Sequence, residues 1–204
     1  MPRFGAGMAL HRASTAMRMH ADPSSVSFED IKTVFNEIDF KYPFPDPDTE
    51  LFYTIIWNKS LNAFDSPREV QVIVDAEDQL FVSVGTFGFV SFKDQEEQLS
   101  GMKLPLKCWI HTHPFGQAFF SGTDWKTINT WKSMLESATV LGDSQFIAYD
   151  VNTEIAKKVY YGIYRQEPVE KPEWVKDTEE KWGDWLVEDR QLEAAVNHYL
   201  EARC

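Results

Sequence analysis

The chain has 204 residues but only two cysteines, Cys108 and Cys204, and no Cys-x-x-Cys pair. This scarcity excludes a disulfide framework and a cysteine-ligated zinc ribbon, and we expect a reducing, cytoplasmic setting. No apolar run reaches roughly 18 residues, so we expect no membrane span. Basic residues number 20 against 32 acidic ones, giving a formal charge of −12. Nucleic acid, which needs a basic face, is therefore not an expected partner.

The remaining composition is that of a globular protein, with 43% hydrophobic and 14% aromatic residues. The length suits one domain with terminal extensions. We assign residues 1–24 to an N-terminal tail, 25–166 to the folded domain and 167–204 to an acidic, helical C-terminal extension. Residues 1–21 contain arginines but no acidic residue, which is typical of a flexible tail or of a transit peptide.

Hydrophobic periodicity predicts a domain that mixes helices and strands. Apolar residues at spacings of three, four and seven predict a helix over 25–38, with Ser27 and Asp30 in a capping box. A second helix is predicted over 124–138. Period-two patterns and β-branched or aromatic runs predict strands over 50–57, 68–76, 79–92, 106–113, 144–151 and 157–164. This order is typical of an α/β (α+β) fold with a single mixed sheet flanked by helices.

Two of the five histidines, His111 and His113, lie one residue apart on a predicted strand. Residues i and i+2 of a strand point to the same face, so both imidazoles can converge. Asp124, at the start of the predicted second helix, offers a third ligand. Zinc binds histidine nitrogen and carboxylate oxygen, and three protein ligands leave a fourth position open for chemistry. A lone His-x-His also arises by accident. The hypothesis of one bound zinc ion therefore rests on the longer spacing H-x-H-x7-S-x2-D.

Ser121 lies three residues before Asp124 and has two plausible roles. As the N-cap of the helix, its hydroxyl would accept a hydrogen bond from a free backbone amide. Beside a metal, the same hydroxyl would donate a hydrogen bond to a developing oxyanion. The sequence is compatible with both roles.

The residues His111-Thr112-His113-Pro114, followed by Ser121 and Asp124, resemble the JAMM (MPN+) motif of metallo-isopeptidases. The stretch "WIHTHP…AFFSGTDW" is similar to the AMSH-type branch of that family. The resemblance implies an MPN/JAB-like (cytidine-deaminase-like) catalytic domain over 25–166. It also implies hydrolysis of the amide bond that joins ubiquitin, or a ubiquitin-like modifier, to a lysine. Ubiquitin conjugates are then the expected partners.

The resemblance further implies a glutamate that carries a proton from water to the leaving amine. We assign this role to Glu50, which opens the predicted strand over 50–57. Glu69, which begins the following strand, is its main rival. Glu77, Glu96 and Glu97 are weaker rivals, and the last two lie in a polar connector.

Two other functions remain open at this stage. A metallopeptidase of the same fold can act on a different substrate, such as a phage-tail or cell-wall peptide. A non-catalytic scaffold of the same fold is the third reading, although it has no need of the complete ligand set. The C-terminal extension is rich in tryptophan, and either packs on the domain or docks a protein partner.

Overall fold

The computed structural model describes residues 27–46, 49–64, 66–86, 90, 101–114, 116–163, 165–173 and 175. The predicted N-terminal tail and residues 176–204 of the predicted extension lie outside this described part of the chain. No helix within the described part is long and apolar enough to cross a membrane.

The described residues form three α-helices and seven β-strands. The helices are α1 (Glu29–Glu37), α2 (Glu50–Asn62) and α3 (Gly122–Trp131). The strands are β1 (Val70–Val74), β2 (Leu80–Val84), β3 (Cys108–Thr112), β4 (Ser137–Leu141), β5 (Gln145–Asp150), β6 (Ile155–Tyr160) and β7 (Gln166–Val169).

All seven strands belong to one sheet, in the order β2-β1-β3-β4-β5-β6-β7. Strands β3 and β4 pair in parallel, while the other neighbours pair antiparallel. This mixed sheet confirms the predicted α+β class. Strands β4 and β7 were not predicted. Strand β4 begins within the end of the predicted second helix, and β7 carries the sheet past the expected domain boundary at 166/167 as far as Val169.

The two faces of the sheet bury different sets of side chains, because successive strand residues point in opposite directions. Val70, Val72 and Val74 of β1 lie in a core cluster with α1 and α2. Ile73 of β1 and Trp109 of β3 lie in a second cluster with α3. The sheet therefore separates a face covered by α1 and α2 from a face covered by α3.

The predicted strand over 50–57 is wrong, because these residues form the first part of α2. Its buried residues are Phe52, Tyr53, Ile56, Trp57 and Ser60, a spacing that follows the helical period. The segment is apolar over most of its length, and such a run gives no clear period from which to distinguish a strand from a buried helix.

The predicted helix boundaries also need correction. Helix α1 has Phe28, not Ser27, as its N-cap, without a side-chain capping bond; Ser27 Oγ instead accepts from the Glu29 amide at 3.3 Å. Helix α3 ends at Trp131, whereas the prediction ran to 138. The chain turns there because the Glu136 amide donates to the Leu106 carbonyl, so that β4 can pair with β3 from Ala138.

Candidate metal centre

Strand β3 delivers the two histidines to the face that α3 covers. His111 lies on β3 and is 1% exposed. His113 follows the strand by one residue, and its amide donates to the Leu141 carbonyl at 2.9 Å, which keeps the backbone extended beside β4. The two imidazole ring centroids are 5.1 Å apart. Both rings thus lie on one face, as the alternation of residues along the strand predicts.

Asp124 reaches the histidines because a capping box begins α3. Ser121 is the N-cap, and its Oγ accepts the Asp124 amide at 3.3 Å. In return, Oδ2 of Asp124 accepts the Ser121 amide at 2.6 Å. The reciprocal bonds fix the Asp124 side chain at the first turn of the helix. The predicted N-cap role of Ser121 is therefore confirmed.

The loop between the histidines and α3 packs closely against the end of β4. The Gly116 amide donates to the His113 carbonyl at 3.3 Å, and the Asp143 amide donates to the Gly116 carbonyl at 3.0 Å. A Cβ on Gly142 would lie 2.3 Å from the amide nitrogen of Ala118. Glycine at 142 is what allows this approach, and the approach brings Ser121 and Asp124 back over the strand.

The three predicted ligands converge on a small volume. The Asp124 carboxylate lies 3.2 Å from Nε2 of His111 through Oδ1 and 3.5 Å from Nε2 of His113 through Oδ2. One ligand atom from each residue lies within 4.8 Å of the other two. Among the described residues, Nδ1 and Nε2 of His111 and Nδ1 of His113 are buried without a hydrogen-bond partner. Buried polar atoms normally have partners, so this group fits a metal ion that would satisfy part of the deficit.

The charge at the site also suits a cation. Burial alone would raise the pKa of Asp124, but the attraction of His111 and the polar contacts of His111, His113 and Ser121 lower it well below its usual range. Asp124 is therefore a carboxylate in this environment. The ionised carboxylate is the protonation state in which aspartate binds metals.

Glu69 lies beside this group. Gln71 pairs with His111 in the antiparallel β1–β3 register, and the same register continued by two residues sets Glu69 opposite His113. Burial raises the pKa of Glu69 to about 7; His113 opposes this increase and Asp124 adds to it. A half-buried carboxyl with such a pKa next to a ligand group is a candidate for proton transfer.

The structure does not bring Glu50 to the three ligands, and the assignment of the proton shuttle to it is corrected here. Glu50 is the first residue of α2, and α2 packs in the core cluster on the opposite face of the sheet. Its electrostatic influence falls on Tyr161, whose pKa is raised first by burial and then by Glu50. The error follows from reading α2 as the strand that leads to the site.

The weaker rivals do not compete with Glu69. Glu77 lies in the turn after β1, where its amide donates to Asp75 Oδ1 at 2.8 Å, at the end of β1 remote from Glu69. Glu96 and Glu97 lie outside the described residues. The alternation in "REVQVIV" places Glu69, Gln71 and Ile73 on one face, and this was the pattern from which Glu69 could have been preferred.

Comparisons with known proteins give short similarities only. No protein-family model and no solved structure matches the chain. The chain is 69% identical over 26 residues to the intraflagellar transport protein 172 homologs of Mus musculus and Homo sapiens, which is 13% of this chain and 2% of each relative. The chain is 58% identical over 31 residues to the Drosophila melanogaster homolog, which is 15% of this chain and 2% of that protein. The chain spans about 2% of the length of these relatives, and a match of this extent establishes no family.

Proposed function

We propose that this protein is a zinc-dependent hydrolase of the MPN/JAB fold. It would cleave the amide bond between ubiquitin, or a ubiquitin-like modifier, and a lysine. The observation that carries the proposal is the convergence of His111, His113 and Asp124 on one side of a mixed sheet. The substrate class comes from the resemblance of these residues, with Ser121, to the JAMM motif.

The chemistry of the donor set favours zinc. Two imidazole nitrogens and one carboxylate oxygen are common zinc ligands, and three protein ligands are typical of catalytic rather than structural zinc sites. Bound zinc supplies Lewis-acid chemistry, polarising a carbonyl and lowering the pKa of a water toward ~7. His111, His113 and Asp124 would hold the ion, and proton transfer and oxyanion binding would fall to other side chains.

Glu69 is the proposed proton shuttle. Its carboxyl is close enough to His113 and Asp124 for both to shift its pKa, which supports a place beside the ligand group. In its ionised form, Glu69 takes a proton from the attacking water and then delivers it to the nitrogen of the leaving lysine. Its raised pKa favours this exchange near neutral pH, because a carboxylate of ordinary pKa is a weaker base and accepts a proton from water less readily.

Ser121 is the proposed donor to the developing oxyanion. Its Oγ already accepts the Asp124 amide as part of the capping box, but a hydroxyl can donate one hydrogen bond while accepting others. The hydroxyl proton therefore remains for a substrate oxygen. The capping box would hold the donor in place before substrate binds, which is the property that makes such a donor effective.

The decisive experiment combines metal analysis with a substrate panel. The purified chain is assayed for bound zinc, and then for cleavage of ubiquitin and ubiquitin-like conjugates with and without a chelator. We expect about one zinc per chain and cleavage that the chelator abolishes and added zinc restores. Zinc without cleavage of any conjugate, but with cleavage of other peptides, would favour a metallopeptidase with a different substrate. A chain that binds no zinc would contradict the enzymatic proposal and favour a scaffold.

A further inference from the structure

We propose that Trp109 and Gln71 are positioning residues for His111, and that they set its affinity for the metal. Trp109 would hold the plane of the imidazole by stacking, and Gln71 would hold the indole by a hydrogen bond. This inference rests on the metal site of the proposed function. It concerns residues outside the ligand set and outside the motif that suggested that set.

The orientation of His111 needs a special explanation. A metal-bound histidine is usually held by a hydrogen bond from its second ring nitrogen to a carbonyl or carboxylate, which fixes the tautomer and the ring plane. Nε2 of His111 faces the Asp124 carboxylate, and the second nitrogen, Nδ1, has no such partner in the described part of the chain. Rotation about χ2 of histidine is broad when nothing constrains it. Another contact must therefore fix this ring.

Trp109 provides that contact. The indole and the His111 imidazole lie nearly parallel, with ring centroids 4.4 Å apart and planes inclined by 17°. The two side chains project from the same face of β3, two residues apart. They are 4% and 1% exposed, respectively. A buried stack at this distance restricts tilting of the imidazole, and it does so without using a nitrogen that the metal needs.

Gln71 in turn fixes Trp109. The indole Nε1 donates to Oε1 of Gln71 at 3.0 Å, and both groups are buried. Gln71 is also the cross-strand neighbour of His111 in the β1–β3 register. The edge of Trp131 in α3 meets the indole from another direction at 5.4 Å. The indole is thus held by a polar bond from the sheet and an aromatic contact from the helix.

A matched pair of truncations tests the stack. Trp109→Leu removes the ring that faces His111, whereas Trp57→Leu removes a buried indole from the core cluster on the other face of the sheet. Zinc affinity is measured by competition with a chromophoric chelator, and thermal unfolding is followed in parallel. We expect Trp109→Leu to bind zinc about 10–100-fold more weakly than Trp57→Leu, as for lost outer-shell partners elsewhere. Equal affinities in the two variants would overturn the inference.

A milder pair of substitutions tests the same inference if Trp109→Leu does not fold. Gln71→Met, close to glutamine in shape, removes the acceptor of the indole bond, while Gln145→Met changes another buried glutamine of the sheet. We expect zinc affinity to fall several-fold in Gln71→Met and to stay at the parental value in Gln145→Met. Matching affinities in this pair would count against a positioning role for Gln71.

Fluorescence gives a readout that loss of core packing would not produce. Because Trp109 stacks on a ligand, its emission should change when zinc is added to the metal-free protein. Trp109→Phe should lose that change and Trp131→Phe should keep it. A change that survives in Trp109→Phe would overturn the assignment of Trp109. A parent chain that binds no zinc would instead overturn the proposed function itself, so the two failures are distinguishable.

Discussion

The two faces of strands β1 and β3 bury different kinds of side chain, although they share the same backbone. On the face toward α2, Val70, Val72 and Ile110 are fully buried apolar residues whose task is packing. On the face toward α3, Gln71 and His111 occupy the same strands and are almost as deeply buried. Burying polar groups costs free energy unless they find partners. Thr112 on the α2 face of β3 is also buried, but its Oγ1 accepts the Val70 amide, whereas Nδ1 of His111 on the other face has no partner in the described part of the chain. The unmet polar group suits the α3 face to the proposed binding chemistry.

The comparison also shows how one sheet can provide a packing face and a candidate metal site. The packing face stabilises the strands whichever ligand is bound. The other face can then carry buried imidazoles with unpartnered nitrogens, because the strands beneath them are already fixed. Precise sites are more easily built on such rigid elements than on loops. Substitutions on the two faces should therefore separate stability from metal binding.

We expect the largest loss of zinc binding at unchanged stability from His113→Ala. Removing one of three ligands should abolish stoichiometric zinc and all chelator-sensitive cleavage, because two ligands hold the ion too weakly. Thermal unfolding of the metal-free variant should stay close to that of the metal-free parent, since His113 is not part of either apolar cluster. Metal analysis by mass spectrometry checks the first result. A variant that retains one zinc per chain would remove His113 from the ligand set.

The second-largest effect is expected on turnover, where Glu69→Gln and Glu50→Gln should differ. Glu69→Gln should retain zinc but lose about 10²–10⁴-fold in turnover, as expected for loss of a general base. Glu50→Gln, on the face toward α2, should cleave substrate at nearly the parental rate. Turnover of a modifier conjugate is measured at equal zinc occupancy. If Glu50→Gln lost turnover and Glu69→Gln kept it, Glu50 would be the proton shuttle. Its carboxyl would then have to reach the metal site from the opposite face of the sheet.

These glutamates show where sequence reasoning succeeded and where it stopped. The period-two rule predicted that His111 and His113 share a face, and the position of Ser121 predicted a possible N-cap for the following helix. The reciprocal bond from the Ser121 amide to Asp124, which completes the capping box, was not predicted. The apolar run 50–57 carried no distinguishing period, so α2 was read as a strand and Glu50 was preferred. The Gln71–Trp109 bond depends on the β1–β3 register. That register arises from long-range pairing and is not encoded in any local pattern.

A smaller effect should separate the two roles of Ser121. Ser121→Ala removes the cap of α3 and should cost about 1 kcal/mol of stability. If the hydroxyl also donates to an oxyanion, turnover should fall by about 10²–10³-fold. Ser121→Asp, which can still cap the helix but has no hydroxyl to donate, is the matched control for stability. Cleavage by Ser121→Ala at the parental rate would leave the residue with its capping role alone.

The smallest effect is expected on the packing face, at the residue that immediately precedes the proposed ligand His111 in the sequence. Ile110 is fully buried against the α2 side of the sheet. Ile110→Val removes one methylene there and should cost about 0.5–1.5 kcal/mol of unfolding free energy, which lowers the melting temperature by roughly 1–6 °C for a chain of this size. Zinc affinity should not change, because the side chain points away from the metal face. Calorimetry and chelator competition on the same sample test both statements, and a clear loss of zinc affinity would show that the two faces are mechanically coupled.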